Sequence, residues 1–216
     1  MSTSGVYAAV WTGSLRWAAA LLTLFVAVGA NAVPEPEPVP VRWEFDFKPE
    51  PLRLVRLDVQ DEGPVWFAFL TYRVANHSGQ DRMLAPLFEL ATDRGDVVRS
   101  GRGVPRAVTE AIMKMLDDPL LQDQLNIVGT LLQGMENTER GLAIWRLPSD
   151  RMDELIVFGA GFSGESQAFF TQDPKTGERV RSILRKTRML RYGVPGDITP
   201  ESPPEPEVIE DRWILR

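Results

Sequence analysis

The feature that most constrains the fold of this chain is an alternation of apolar and charged side chains with a period of two residues. It is unbroken in residues 41–47 (VRWEFDF), and further apolar runs follow in residues 52–59, 65–74 and 83–92. Such a period puts the apolar side chains of an extended segment on one face, so that this face is buried and the other is solvated. Turn sequences separate the runs about every eight to twelve residues, a spacing typical of an antiparallel sandwich.

Two of these runs carry more specific information. Residues 65–74 are apolar on both faces at their start, which predicts a central strand. Within residues 83–92, Pro86 lacks a backbone donor and therefore predicts that part of this run lies at a sheet edge.

A different period appears between residues 104 and 134. Apolar residues recur there about every 3.6 residues, the repeat of an amphipathic helix. Pro105 and Pro119 suit first helical turns, and Gly134 suits a helix end. We therefore expect a helical hairpin inserted between strands. Its two stripes are Val104, Val108, Ala111, Ile112, Met115 and Leu116, followed by Leu121, Leu125, Val128 and Leu132.

The predicted fold class is accordingly mainly β, an antiparallel sandwich with an inserted helical hairpin at about residues 104–134, with α+β as the alternative. The domain itself is expected to span residues 41–194. Residues 33–40 alternate Pro with Glu or Val and favour a stiff, extended linker. Residues 195–216 form a second Pro- and acid-rich segment, a C-terminal tail.

The N-terminus has the order of a secretory signal peptide. Residues 1–32 carry one charge, Arg16, ahead of an apolar run at 17–28 and the small residues Ala30 and Ala32. This predicts export to the periplasm or cell envelope with cleavage after Ala32, an uncleaved anchor or a buried helix being the alternatives. No second long apolar run follows, so we expect no transmembrane segment after cleavage.

The composition limits the chemistry of the chain. Acidic residues outnumber basic ones, 30 to 24, and there is no cysteine. A negative net charge disfavours nucleic-acid binding, which depends on clustered Lys and Arg. The lack of cysteine excludes disulfides, thiol catalysis and thiolate metal ligands.

One glycine motif invites a cofactor interpretation. Residues 159–164 (GAGFSG) match the dinucleotide pattern GxGxxG and follow an apolar strand. In dinucleotide-binding units a helix follows directly, and an acid lies about 20 residues later. Both are missing here, so a glycine-rich strand end is the better interpretation and no cofactor is predicted. His77, the single histidine, lies in a polar turn, so no metal site or catalytic triad is predicted.

Catalysis by carboxylates stays open as an alternative. General acid–base chemistry needs two well-placed carboxylates. The neighbouring pairs Asp93 with Asp96, Asp117 with Asp118, and Asp153 with Glu154 have the local context of turns or caps. No catalytic residue is therefore assigned, although a hydrolase site can be assembled from distant residues.

Three segments supply candidate partner-binding residues. Ile127 and Leu131 widen the second helical stripe, for which core packing is the alternative. Arg185 and Arg188 belong to a strongly basic strand that suits an anion or an acidic partner, or else protects a sheet edge. Trp213 and Ile214 end the acidic tail and either fold back as a strand or dock onto another protein.

The strand order, the turn spacing and the segment of residues 72–76 (YRVAN), followed by a glycine turn, resemble immunoglobulin-like sandwich domains of exported bacterial proteins. The chain departs from that pattern at the helical insertion and lacks the cysteine pair of antibody domains. The resemblance implies a binding or scaffolding role. We therefore expect an exported, non-enzymatic interaction module whose partner is another envelope protein. A carboxylate-based hydrolase and a soluble anion-binding protein are the alternatives.

Overall fold

The computed structural model describes residues 43–172, 175–196, 198–199 and 203–216. The predicted signal peptide (1–32) and the Pro/Glu linker (33–40) lie outside the described residues. The described part falls within one compact unit, Pro40–Arg216.

Strands make up most of this unit, and the described residues include one helix, α1 (Arg106–Leu116). The strands are β1 (Asp46–Pro49), β2 (Arg53–Val59), β3 (Gly63–Asn76), β4 (Arg82–Leu84), β5 (Leu87–Thr92), β6 (Val97–Arg99), β7 (Leu121–Gln122), β8 (Gly129–Leu131), β9 (Gly134–Arg146), β10 (Glu154–Ala160), β11 (Ser166–Gln172), β12 (Arg179–Gly193) and β13 (Glu207–Leu215). The prediction of a mainly β chain is confirmed. Pro86 separates β4 from β5, as its missing backbone donor would lead one to expect.

The strands form two large sheets and one small one. The first sheet has the order β1–β3–β9–β7, and β2 also pairs with β3. The second sheet has the order β11–β12–β10–β5–β6, and β13 also pairs with β12. Apart from the parallel pair β7–β9, neighbouring strands in both sheets are antiparallel. Strands β4 and β8 form a separate two-stranded sheet.

The first sheet is buried on both of its faces. On one face of β3, Leu70 and Tyr72 belong to a core shared with the second sheet. On the other face, Phe67 and Phe69 belong to a second apolar cluster, which also contains Val108 and Ile112 of α1. This two-sided burial explains why the sequence of β3 is apolar on both faces, and it confirms the predicted central position. Each large apolar side chain buried in this way stabilises the fold by about 1.5–3 kcal/mol.

The core between the two sheets is rich in aromatic rings. Trp145 and Tyr192 are almost fully buried, and Phe47 lies 4.3 Å from Phe162 between ring centroids. Phe88 meets Trp145 edge to face at 6.2 Å. Two antiparallel sheets that share one core fit a β-sandwich.

The prediction of a second helix in the hairpin is wrong. The segment that follows α1 forms β7, a turn and β8 instead, and β9 starts at Gly134. The turn is set by Asp123, whose Oδ1 accepts hydrogen bonds from the backbone N–H groups of Leu125 and Asn126, both at 2.8 Å. A side chain that bonds its own backbone in this way competes with helix formation. Leu125, a member of the predicted stripe, is 78% exposed.

The C-terminal tail ends in a strand of the second sheet. Strand β13 pairs antiparallel with residues 186–193 of β12, with Trp213 opposite Arg188. Of the two alternatives considered for this segment, the structure therefore has the folded-back strand.

The glycine motif serves packing and turning. Gly161 has a φ of 92°, and a side chain at Gly164 would collide with the indole of Trp43. The backbone N–H of Gly164 donates to the carbonyl of Trp43 at 3.0 Å. The loop leads directly into β11, and no helix follows it. The interpretation as a glycine-rich strand end is therefore confirmed.

Candidate functional site

A two-stranded ribbon extends the second sheet beyond the shared core. It consists of β11 and residues 179–185 of β12, and we call it the ribbon. Every residue of β11 is exposed, and β12 is its partner strand. The exposed large apolar side chains of the ribbon are Phe169, Phe170, Val180 and Ile183. Exposed aromatic residues of this kind are typical of recognition surfaces.

The register of the ribbon places arginines and apolar groups on one face. Residues opposite each other in an antiparallel pair share a face. Phe170 lies opposite Arg181, and Ala168 lies opposite Ile183. The guanidinium of Arg179 stacks 4.0 Å above the ring of Phe170. We call this side of the ribbon the arginine face.

The arginine face continues into the outer face of the second sheet. An open depression of about 220 Å³ lies there. The guanidinium of Arg216 covers the ring of Phe158 at 4.1 Å and donates to Glu89 at 2.6 Å. Ile214 is opposite Thr187 and so belongs to the same face. The depression is lined by Leu87, Glu89, Phe158, Ala160, Ile183, Arg185, Thr187 and Arg216. We call this surface the open face.

The basic residues of β12 divide into two groups. Along residues 186–193 they are paired: Lys186 with Glu44 at 2.9 Å, Arg188 with Asp211, and Arg191 with Glu154. In the ribbon, by contrast, Arg181 and Arg185 make no ion pair with any residue that the structure describes. The arginines of β12 without an ion-pair partner among the described residues therefore lie at the ribbon end of the strand.

The paired group carries the expected electrostatic shifts. The hydrogen bond from Arg191 lowers the pKa of Glu154 below its ordinary value. The hydrogen bond to Glu44 raises the pKa of Lys186, and Glu165 adds to this effect. Both shifts favour the charged forms and indicate pairs that stabilise the sheet.

The candidate residues on β12 and β13 lie on paired strands, but their side chains point to opposite faces of the sheet. Arg185 and Ile214 lie on the open face, whereas Arg188 and Trp213 lie on the side that bears the core. Trp213 is half-buried, and the cations of Lys186 and Arg188 lie 5.4 Å and 5.2 Å from its ring. Trp213 and Arg188 thus close one edge of the core.

The other two candidates do not reach the surface. Ile127 and Leu131 are 3% and 1% exposed and belong to the core shared by the two sheets. The prediction that Ile127 and Leu131 are available to a partner is wrong, because the chain turns at Asp123 and both side chains point into the core. Core packing, the alternative considered for them, describes their positions.

Sequence reasoning missed the aromatic part of the surface. No role is predicted from the sequence for Phe169, Phe170, Phe158 or Arg216. One signal was available for the first two. They lie in a strand that otherwise contains only Ser, Gln, Ala and Thr, so no apolar alternation predicts a core face for it.

Two carboxylates from the pairs considered for catalysis contact residues distant in the chain. Asp118 pairs with Arg140 at 2.9 Å, and Asp93 accepts a hydrogen bond from the backbone of Asp153. His77 is exposed, with its Nε2 3.2 Å from the sulfur of Met135. Among the residues described, no group of three or more His, Cys, Asp or Glu side chains is arranged to hold a metal ion. The described part of the chain also has no helix with the length and apolarity needed to cross a membrane.

No protein-family model, curated protein or solved structure matches this chain. Apolar and arginine side chains meet on the ribbon and on the open face without a covering element among the described residues.

Proposed function

We propose that this chain is an exported, non-enzymatic interaction or scaffolding module of the cell envelope, and that its partner is another envelope protein. The observation that carries the proposal is the open face, where Leu87 and Phe158 lie beside Arg185, which has no ion-pair partner among the described residues. Interface cores are enriched in aromatic residues and arginine and depleted of other charges. The open face combines these residue types on a rigid sheet.

The contrast with the first sheet supports this assignment. The outer face of the first sheet is covered by α1, whose Val108 and Ile112 are buried against Phe67 and Phe69. The outer face of the second sheet has no such cover among the described elements. A sheet face with exposed apolar groups marks a surface that gains free energy when a partner covers it.

We further propose an immunoglobulin-like arrangement of the sandwich. Two antiparallel sheets around an aromatic core support it, together with the YRVAN segment that ends β3 ahead of Gly79, a residue with a φ of 89°. Domains of this kind present their partners with sheet faces and edges. The role is inferred by analogy of fold, which is a weaker argument than the chemistry of the surface.

The chemistry of the surface specifies the partner. Arg181 and Arg185 need carboxylates opposite them, whereas Leu87, Phe158 and Ile214 need apolar contact. The partner surface is therefore apolar at its centre and acidic at the ribbon end. Complementary charge of this kind also speeds association and makes it sensitive to salt.

Affinity capture from the solubilised envelope of the producing cells tests the proposal. The wild-type chain should retain one reproducible partner. Arg185→Glu and Leu87→Asp should each reduce its recovery at least about tenfold, the loss expected when about 1.4 kcal/mol of binding is removed.

Matched variants on other surfaces serve as controls. Arg56→Glu on β2 makes the same charge reversal at an exposed residue, and Leu120→Asp makes the same apolar-to-acid change at an exposed leucine. Neither should change recovery. Equal loss with all four variants would contradict the open face as the binding site. Loss with Arg185→Glu alone, together with displacement of the partner from the wild-type chain by added inorganic phosphate at low salt, would instead favour the anion-binding alternative.

Export has its own test. If residues 1–32 are a signal peptide, the protein recovered from the envelope fraction should begin at Val33. Intact protein beginning at Met1 in the cytoplasm would contradict the envelope location.

A further inference from the structure

The outer edge of the ribbon differs from the other strand edges of the molecule. Strand β11 (SQAFFTQ) contains no charged residue, no proline and no glycine over seven residues. One side of its backbone pairs with β12, and no described strand pairs with the other side. Its side chains are all exposed.

Edge strands normally carry features that prevent pairing with another chain, chiefly charges, proline or short length. The other long edges of this molecule have them. Strand β13 contains Glu207, Glu210, Asp211 and Arg212, and β2 contains Arg53, Arg56 and Asp58. Strands β6 and β7 are only three and two residues long. β11 lacks all of this protection, and its composition favours strand pairing.

We propose that two copies of this chain associate through β11, edge to edge and antiparallel, to form one continuous four-stranded ribbon. A two-fold axis at Phe169, the middle residue of the strand, keeps all seven residues paired. Phe169 of one copy then lies opposite Phe169 of the other, and Ala168 lies opposite Phe170.

The side chains make this edge self-complementary. In the two-fold register Gln167 lies opposite Thr171, and Ser166 opposite Gln172, so that no like charges meet. Aromatic and neutral polar pairs across strands are favourable. A second copy is therefore a better occupant than a charged strand, because β11 offers no charge to complement.

The arginines of the ribbon do not oppose this association. They lie on β12, so the two β12 strands of the dimer are separated by both copies of β11. At about 4.8 Å per strand spacing this distance is about 14 Å. It exceeds the screening length of about 8 Å at physiological ionic strength. The arginine face itself stays free, so self-association goes beyond the proposed partner binding and does not compete with it.

Cysteine cross-linking tests the register directly, since the chain has no cysteine of its own. Phe169→Cys places two thiols opposite each other at the axis and should give a disulfide-linked dimer under mild oxidation. Ser182→Cys is the matched control, because Ser182 lies opposite Phe169 on β12, on the same face but one strand further from the axis. Its two copies are too far apart for a disulfide, which requires Cα atoms within about 7 Å.

We expect Phe169→Cys to cross-link at least about ten times faster than Ser182→Cys at equal protein concentration. Equal rates for the two variants, or no dimer from either, would overturn the proposal. Cross-linking at this edge leaves the envelope partner's surface untouched, so partner capture by the linked dimer tests the proposed function separately.

Sedimentation of the purified chain supplies an independent measurement. The wild-type protein and Ser182→Lys should show a concentration-dependent dimer, and Phe169→Lys, which sets two lysines opposite each other, should weaken it at least about tenfold. Since both sites are at least partly exposed, unchanged circular dichroism should accompany both variants. A wild-type chain that stays monomeric up to about 0.5 mM, or that forms open-ended assemblies, would overturn the two-fold dimer.

Discussion

The two halves of β12 have similar compositions and opposite environments. Residues 179–185 and 186–193 each contain three basic residues. In the second half these cations are paired with acids, and β10 and β13 both pair with the strand. In the first half β11 is the partner along most of the length, and Arg181 and Arg185 have no acid partner among the described residues.

The surroundings of a basic strand, and not its composition, therefore determine whether its cations are paired. The inner half stabilises the sheet, since its charges are neutralised and Leu190 and Tyr192 lie in the core. The outer half has two arginines without an acid partner among the described residues and exposed apolar groups, a combination that supports the proposed interaction role. Three measurements test whether the two halves of β12 differ in this way.

The largest expected effect is a loss of unfolding free energy when a core side chain is truncated. Leu190→Ala, in the inner half, should lower the free energy of unfolding by about 2–5 kcal/mol, because a buried leucine leaves a cavity. Ile183→Ala, at a side chain 51% exposed in the outer half, should change it by less than about 0.5 kcal/mol. Urea denaturation with circular dichroism measures both. Similar losses for the two variants would mean that the ribbon is also part of the cooperative core.

A smaller effect is expected from the ion pairs. Asp211 accepts from Arg188 at 2.8 Å, with both side chains partly exposed. A double-mutant cycle with Arg188→Ala and Asp211→Ala should give a coupling of about 0.5–1 kcal/mol. Arg185→Ala should leave stability unchanged, because its guanidinium has no such partner among the described residues. A coupling of zero would show that the paired half gains no stability from its charges.

The smallest effect concerns acid stability. The hydrogen bond from Arg191 lowers the pKa of Glu154 below its ordinary value of 4.5. A lowered folded-state pKa adds stability that is present above the ordinary value and is lost as the pH falls through the folded one. Wild type should therefore exceed Glu154→Gln in stability at pH 7, and the difference should shrink below about pH 4.5.

Thermal unfolding of both proteins between about pH 3 and pH 7 measures this difference. Glu154→Gln introduced into an Arg191→Gln background is the control, because the hydrogen bond from Arg191 is already absent there, and it should show no comparable dependence. A difference between wild type and Glu154→Gln that stays constant with pH would contradict the role of the Arg191 pair.

Much of the sheet structure was accessible from the sequence. The alternation that puts Phe45 and Phe47 in the core is a local property, as is the two-sided apolar pattern of β3. The glycine motif was also interpreted correctly, because the missing helix is visible in the chain itself. The stripe containing Val108 and Ile112 correctly predicted α1.

The helix predicted from the second apolar stripe does not form, and the reason is local hydrogen bonding. The apolar spacing of the stripe fits a helix, but Asp123 bonds the backbone ahead of it, and β8 then pairs with β4 about 45 residues earlier in the chain. The side chains that become buried are Ile127 and Leu131, which were candidates for a partner. Apolar spacing cannot reveal which of two overlapping sets of residues will meet the core.

The richness of this chain in antiparallel strands could be predicted from the sequence, because period-two alternation and turn residues act within a few neighbouring residues. The pairing of the tail with the second sheet, the pairing of particular arginines of β12, and the cover of α1 on one sheet, with no described element covering the outer face of the other, emerge only in the folded chain. Those outcomes depend on contacts between residues far apart in the chain, such as Arg188 with Asp211 and Phe67 with the region of Ile112. Local patterns carry no information about which distant partner such a side chain will find.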